Sequence, residues 1–196
     1  ETSYALRKFA AFWGSNNIDH QARICHSTTV AGIANTWGYG AMTNSMNDIR
    51  NSQCVFIIGE NVCTSHPIAM QHILTAKEEN KAQIIVADPR FTQTAAFANK
   101  FMQFRSGTDV ALIYGLINVI LKNGWEDKSM INDRTYGFSD LKKELKRYDL
   151  DTVSDITGVP VKDIEHAARI MAENRPGTLI WAMGGTQHTN GTSNTR

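Results

Sequence analysis

Two compact apolar runs stand out in the first half of the chain, residues 53–59 (QCVFIIG) and 83–88 (QIIVAD). Each is continuous and not alternating, and each ends at a glycine or at an acid followed by Pro89. That is the pattern of strands buried on both faces of a parallel sheet. Between them, residues 66–79 (HPIAMQHILTAKEE) place Pro67 where a first helical turn accepts it, Ile68, Ile73 and Leu74 on a face, and charged Lys77, Glu78 and Glu79 at the end. Together these segments predict one β-α-β unit. A short strand is expected near 101–104, a helix over 110–122 opened by Ser106-Gly107-Thr108-Asp109, and a further buried strand over 178–183 (TLIWAM).

Residues 125–175 have a different texture, with helices expected near 139–148 and 161–174. Pro160 marks the start of the second, and Ile164, Ala167, Ala168 and Met171 recur in it at helical spacing. Because this section lies between two sheet strands, it is expected to be a helical excursion within a crossover. The expected class is α/β: three layers, with a mostly parallel sheet and helices on both faces. The expected organisation is a single domain over 1–196, with 1–20 as an extension from a preceding domain.

Composition narrows the picture. A chain of 196 residues suffices for one substantial core. Twenty basic and nineteen acidic residues leave a net charge of +1, which gives no reason to expect a nucleic-acid partner. The longest apolar stretch, 110–121, is interrupted by Tyr114, Gly115 and Asn118 and is too short to span a bilayer. Cys25, Cys54 and Cys63 form no CxxC pair, which argues against a disulfide framework or a structural zinc site. The chain opens on Glu1 without a signal-like segment and closes on GTSNTR, so it reads as a piece of a longer protein whose leader would lie upstream.

In open parallel sheets, ligands bind beyond the carboxyl ends of the strands. Here those ends carry Gly59-Glu60-Asn61, Asp88-Pro89-Arg90, Arg105-Ser106-Gly107-Thr108-Asp109 and Met183-Gly184-Gly185. Each has a plain alternative: Thr108 and Asp109 as helix caps, Asp88 to Arg90 as a turn with a solvated ion pair, Gly184-Gly185 as a tight turn. No GxGxxG run supports an ordinary nicotinamide site. Taken together, the four loops point to a nucleotide-like ligand with phosphate and a hydrogen-bonding base. Cys25 and His26 add a thiol beside an imidazole, able to bind a metal and accept a proton, although the pair alone fits a buried structural cysteine better. Cys54 is expected in the core, and Cys63 on a loop without a ligand partner. His20, His72 and His166 are expected to be surface or hydrogen-bonded histidines and not ligands, and Trp13, Trp37 and Trp181 are expected in the core or against neighbouring domains. His188 is either a funnel residue or a hydrogen-bonded loop histidine.

The runs DHQARICHSTTVAGIANTWGYGAMTNSMNDI, GENVCTSHP, IIVADPRFTQTA, RSGTD and WAMGGTQHTNG occur in the order seen in one family. Over about residues 14–196 the chain resembles the molybdopterin-guanine-dinucleotide-binding part of formate dehydrogenase catalytic subunits, within the dimethyl sulfoxide reductase superfamily. The resemblance implies that Cys25, or a native selenocysteine there, ligates molybdenum or tungsten, and that His26 accepts a proton. Nitrate-reducing relatives usually carry methionine after that cysteine. It also implies that Gly59, Asn61, Thr64 and His66 line one guanine dinucleotide. Asp88 and Arg90 would meet its ribose and phosphates, Thr108 and Asp109 the guanine edge, and Met183 and Gln187 the pterin side. Thr64 departs from the aspartate common at that position.

The implied cofactor is bis(molybdopterin guanine dinucleotide), with a 4Fe-4S cluster in an N-terminal domain of the parent. The substrate-orienting arginine would lie beyond this region, so Arg196 is not that residue. Implied partners are formate, the remaining domains of the subunit and an iron-sulfur electron-transfer subunit, with a membrane cytochrome subunit as a further candidate. The implied location is the periplasmic side of the inner membrane, with the cytoplasm as alternative. The isolated chain is expected to be inactive and prone to self-association. A nitrate reductase-type relative and a non-redox nucleotide-binding module remain the competing readings.

Overall fold

The computed structural model describes residues 1–194; Arg196 lies outside them. Two helices, α1 (Thr2–Trp13) and α2 (Ala22–Trp37), precede the sheet. Strand β1 (Cys54–Ile58) is followed by the single turn α3 (Val62–Ser65), then α4 (Pro67–Glu79) and β2 (Gln83–Ala87). Strand β3 (Lys100–Met102) leads into α5 (Asp109–Lys122), α6 (Lys128–Arg134), α7 (Phe138–Leu145), α8 (Leu150–Thr157) and α9 (Val161–Glu173). The chain then returns through β4 (Gly177–Trp181) to the short turns α10 (Met183–Thr186) and α11 (Gly191–Asn194).

The strands pair in the order β3-β2-β1-β4, all parallel. Strand alternation sorts the apolar runs into two cores. Val55, Ile57, Ile84 and Val86 pack with Ala69, Met70 and Ile73 of α4. Cys54, Phe56, Ile58, Ile85 and Ala87 pack with Leu112 and Leu116 of α5 and with Ala167 and Ala168 of α9. Every residue of β1 is buried, which is why its sequence shows no polar alternation. Lys100 pairs with Asp163 at 2.6 Å, tying the edge strand β3 to α9.

This topology positions the site. The chain steps outward from β1 to β2 and β3, then crosses back over the other face to place β4 on the opposite side of β1. The winding direction therefore reverses between β1 and β4, and in open parallel sheets the ligand crevice lies beyond the carboxyl ends of the strands at such a point. Among the described residues, no helix is long and apolar enough to cross a membrane.

Several elements differ from the pattern-based expectation. Helix α5 begins at Asp109, one residue earlier than expected, and β3 is shorter and begins at Lys100. Cys25 lies in the first turns of a sixteen-residue helix. The sequence of α2, ARICHSTTVAGIANTW, mixes small and polar residues on all faces, so it shows no helical stripe. Trp13 is exposed on α1, while Trp37 packs edge-to-face on Trp181 with ring centroids 6.0 Å apart.

Candidate active site

The floor of the crevice is backbone on backbone. Gly59 leaves β1 with φ 63°, a left-handed conformation that favours glycine, and its carbonyl accepts from the Gly184 amide at 3.2 Å. A Cβ at Gly184 would stand 2.7 Å from Gly59 Cα, closer than real Cβ atoms come to backbone. Gly184→Ala should therefore force the two loops apart. The expected cost is about 1–3 kcal/mol, typical of an overpacked contact. A lowered melting temperature of the full-length protein, together with reduced cofactor content, is the expected result.

One wall is Asp109, at the start of α5 and 4% exposed. Both of its carboxylate oxygens are buried without a hydrogen-bond partner. Burial pushes its carboxyl above the usual carboxylate range; its own backbone amide and His188 oppose this in part, and the like charge of Asp88 adds to it. His188 Nε2 lies 3.8 Å from Asp109 Oδ2 and within hydrogen-bond reach of the Gly184 carbonyl at 2.7 Å. His188 is thus a hydrogen-bonded loop residue that also faces the acid. Thr108 does not cap α5 with its side chain, and its hydroxyl donates to the Arg105 carbonyl at 2.6 Å. Hence neither residue is engaged as a side-chain cap.

At the end of β2, Asp88 is buried and Oδ1 accepts from the Arg90 amide at 2.7 Å, a tight turn that leaves the Arg90 side chain exposed. The loop after β1 is internally braced. Asn61 donates to Thr64 Oγ1 at 2.9 Å and accepts from Thr94 Oγ1 at 3.0 Å, while Thr64 donates to Gln93 Oε1 at 3.3 Å. His66 Nδ1 lies 3.0 Å from buried Glu60, which also accepts a short hydrogen bond from Ser65 Oγ. Sequence reasoning missed Glu60, Gln93 and Thr94 as braces of this loop. Thr94 is 33 residues from Asn61, and no local motif connects them.

Helix α2 supplies the remaining pair. Cys25 is partly buried and His26 is exposed. Cys25 Sγ lies 3.4 Å from Met183 Sδ, and Gln187 Nε2 donates to the Cys25 carbonyl at 2.5 Å and to the Ile24 carbonyl at 3.2 Å. The segment after β4 therefore touches Cys25, Gly59 and Asp109 in turn, joining five of the expected site residues: Cys25, Gly59, Asp109, Met183 and Gln187. Asn61, Thr64 and His66 form a separate braced cluster at the mouth of β1. Cys54 is buried in the core and burial pushes its thiol up to about 11, so it is chemically inert beside Cys25. Cys63 donates its backbone amide to Thr94 Oγ1 at 3.0 Å. Among the described residues, no group of three or more His, Cys, Asp or Glu side chains could hold a metal by itself.

A parallel sheet whose winding reverses beside β1, with glycine-lined loops and a buried carboxylate without a hydrogen-bond partner at its carboxyl edge, defines a dinucleotide-type cofactor-binding domain. More narrowly, the chain belongs to the molybdopterin oxidoreductase family, which it matches over residues 1–196. The cofactor of this family is a molybdopterin, a pterin that carries molybdenum or tungsten. Formate dehydrogenase H of Escherichia coli is 40% identical over 197 residues, covering 100% of this chain and 27% of that protein. Formate dehydrogenase-O major subunit, from the same organism, is 32% identical over 252 residues, covering 100% of this chain and 25% of its own length. Among solved structures, acetylene hydratase from Pelobacter acetylenicus aligns with a TM-score of 0.69 and 29% identity, covering 86% of this chain and 24% of that one. The chain thus spans about a quarter of the length of these relatives.

Proposed function

We propose that this chain cradles one guanine dinucleotide of a bis(molybdopterin guanine dinucleotide) cofactor, within a protein that oxidises formate to carbon dioxide. The observation that carries the cradle is Asp109. A buried carboxylate with two unused acceptor oxygens is costly to leave unpaired, and a guanine edge offers two adjacent N–H donors that match it. Gly59 and Gly184 pack backbone on backbone, which keeps the two loops together beneath the proposed ligand. Exposed Arg90 can fork onto phosphate, and Asp88 can take ribose hydroxyls. Thr108 stands beside Asp109 at the base. Asn61, Thr64 and His66 line the mouth of β1, and Met183 and Gln187 face the pterin side.

The formate assignment rests on the Cys25-His26 pair and on the names of the full-length relatives. Formate oxidation releases two electrons and one proton, and the metal–pterin group, when bound, supplies the two-electron acceptor. Cys25 would contribute a soft thiolate ligand from α2, with other ligands coming from the cofactor. His26, exposed beside it, would take the proton and pass it to solvent. A 4Fe-4S cluster elsewhere in the parent, an iron-sulfur partner subunit with a membrane cytochrome subunit, and a periplasmic location belong to the same proposal. The full-length protein should contain molybdenum or tungsten and pterin, and should reduce a dye with formate. Reduction of nitrate without formate oxidation would assign it to the nitrate-reducing branch. Absence of metal and pterin would leave a nucleotide-binding module.

A further inference from the structure

We infer that Gln187, beyond facing the pterin side, is a positioning residue that holds Cys25 in place through the backbone of α2. The inference rests on the proposed reading only in that Cys25 is the side chain whose placement matters. Its physical basis is the weakness of the start of α2. Gln21, at the N-cap, makes no side-chain capping hydrogen bond, and the first turn contains no acidic residue. Helix starts without such partners fray readily. The amides of this turn are met only from within the same largely exposed segment, Ala22 by His20 Nδ1 at 3.0 Å, Arg23 by the His20 carbonyl at 3.1 Å, and Ile24 and Cys25 by the Gln21 carbonyl at 3.0 and 3.3 Å, while Arg23 pairs with Asp19 at 2.6 Å. Exposed pairs of this kind contribute little.

Gln187 meets this weakness from across the chain. Its Nε2 donates to the carbonyls of both Ile24 and Cys25, residues more than 160 positions earlier in the sequence. The anchor at the other end is firm. Gly184, three residues before Gln187, is bonded to Gly59 at the end of β1, and the Gln187 amide itself donates to the Met183 carbonyl at 2.8 Å. The path therefore runs from the sheet edge through α10 to the Gln187 amide and onto the backbone of Cys25. Met183 completes the clasp, with its sulfur 3.4 Å from Cys25 Sγ. With its amide nitrogen engaged on two carbonyls, Gln187 supports the metal-ligand helix from outside.

Metal-free full-length protein tests this without reference to catalysis. Reaction with iodoacetamide at fixed pH, with each cysteine peptide quantified by mass spectrometry, reads the local opening of α2. The variant Gln187→Met keeps length and volume while removing the donor. Cys25 alkylation should accelerate about two- to tenfold, the effect of losing a net hydrogen bond from a local opening equilibrium. Cys63 should react at its original rate, and Cys54 should stay protected. Gln187→Glu, which cannot donate to a carbonyl, should accelerate Cys25 at least as much. Unchanged Cys25 rates in both variants would overturn the inference. Equal acceleration at all three cysteines would also overturn it, because Gln187 would then be a general structural residue. No metal takes part in this readout, so a failure of Cys25 to ligate metal would appear in a separate measurement and leave this result intact.

Discussion

Cys25→Ser should reduce formate-dependent dye reduction by the full-length protein on the order of 10³-fold or more, the scale of loss when one member of a catalytic unit is removed. The fold should be unaffected. Cys25 is only partly buried, it lies outside both apolar cores, and serine preserves its volume within one atom. The backbone carbonyls that Gln187 holds are also unchanged by the substitution. The loss would then be chemical: a hard hydroxyl replaces a soft sulfur ligand beside a high-valent metal. Steady-state rates normalised to bound metal provide the check. A variant with full metal content and unaltered turnover would remove Cys25 from the reaction.

The second large effect belongs to Asp109, and its sign differs between the cofactor-free and loaded states. Without ligand, the buried carboxylate lacks hydrogen-bond partners, and burial raises its pKa above the unfolded value. A raised carboxyl pKa means that the folded chain holds the proton more tightly than the unfolded chain does. The stabilising contribution of the protonated form is complete below the ordinary aspartate range and is lost as pH rises through the folded-state value. Asp109→Asn should thus raise the melting temperature of the cofactor-free protein at neutral pH, and the advantage should shrink as pH falls toward the ordinary aspartate range. In the loaded protein, on the proposed guanine contact, the same change would replace one acceptor oxygen with a donor facing guanine N–H groups. Each charge-assisted hydrogen bond lost is worth about 1.5–3 kcal/mol, so guanine nucleotide retention should fall roughly 10- to 100-fold. Guanine nucleotide released from purified protein on denaturation, per mole of protein, measures this. A site built for stability alone would show the opposite pattern, with the variant no more stable empty and no weaker in binding.

Strands β1 and β2 were legible in the sequence because they are short, apolar and buried on both faces, and Pro67 and Pro160 mark helix starts; β4, expected as a buried strand over 178–183, is instead an edge strand over Gly177–Trp181 with Leu179 52% exposed. The loops carrying Gly59, Asp88 and Asp109 could be placed at strand ends from the same runs. What could not be read was tertiary. Helix α2 lacks an amphipathic stripe, and α3, α10 and α11 are single turns too short for any periodicity to show. The bracing of Asn61 by Thr94 and the hold of Gln187 on Cys25 join residues far apart in the chain, so no local pattern encodes them. Glu60, by contrast, is local. As an acid after a strand-end glycine it looked like any solvated loop charge, and only its burial with Ser65 and His66 shows its structural part. Nothing in two adjacent residues such as Cys25 and His26 separates a metal ligand from an incidental thiol.

Cys25 is proposed as the protein's sulfur ligand at the edge of this crevice. X-ray absorption at the molybdenum or tungsten edge of the full-length protein, compared with its Cys25→Ser variant at equal metal content, tests this directly. The variant should lose one sulfur scatterer and gain a lighter oxygen in its place, with the pterin sulfurs retained. Superimposable spectra from the two proteins would contradict it.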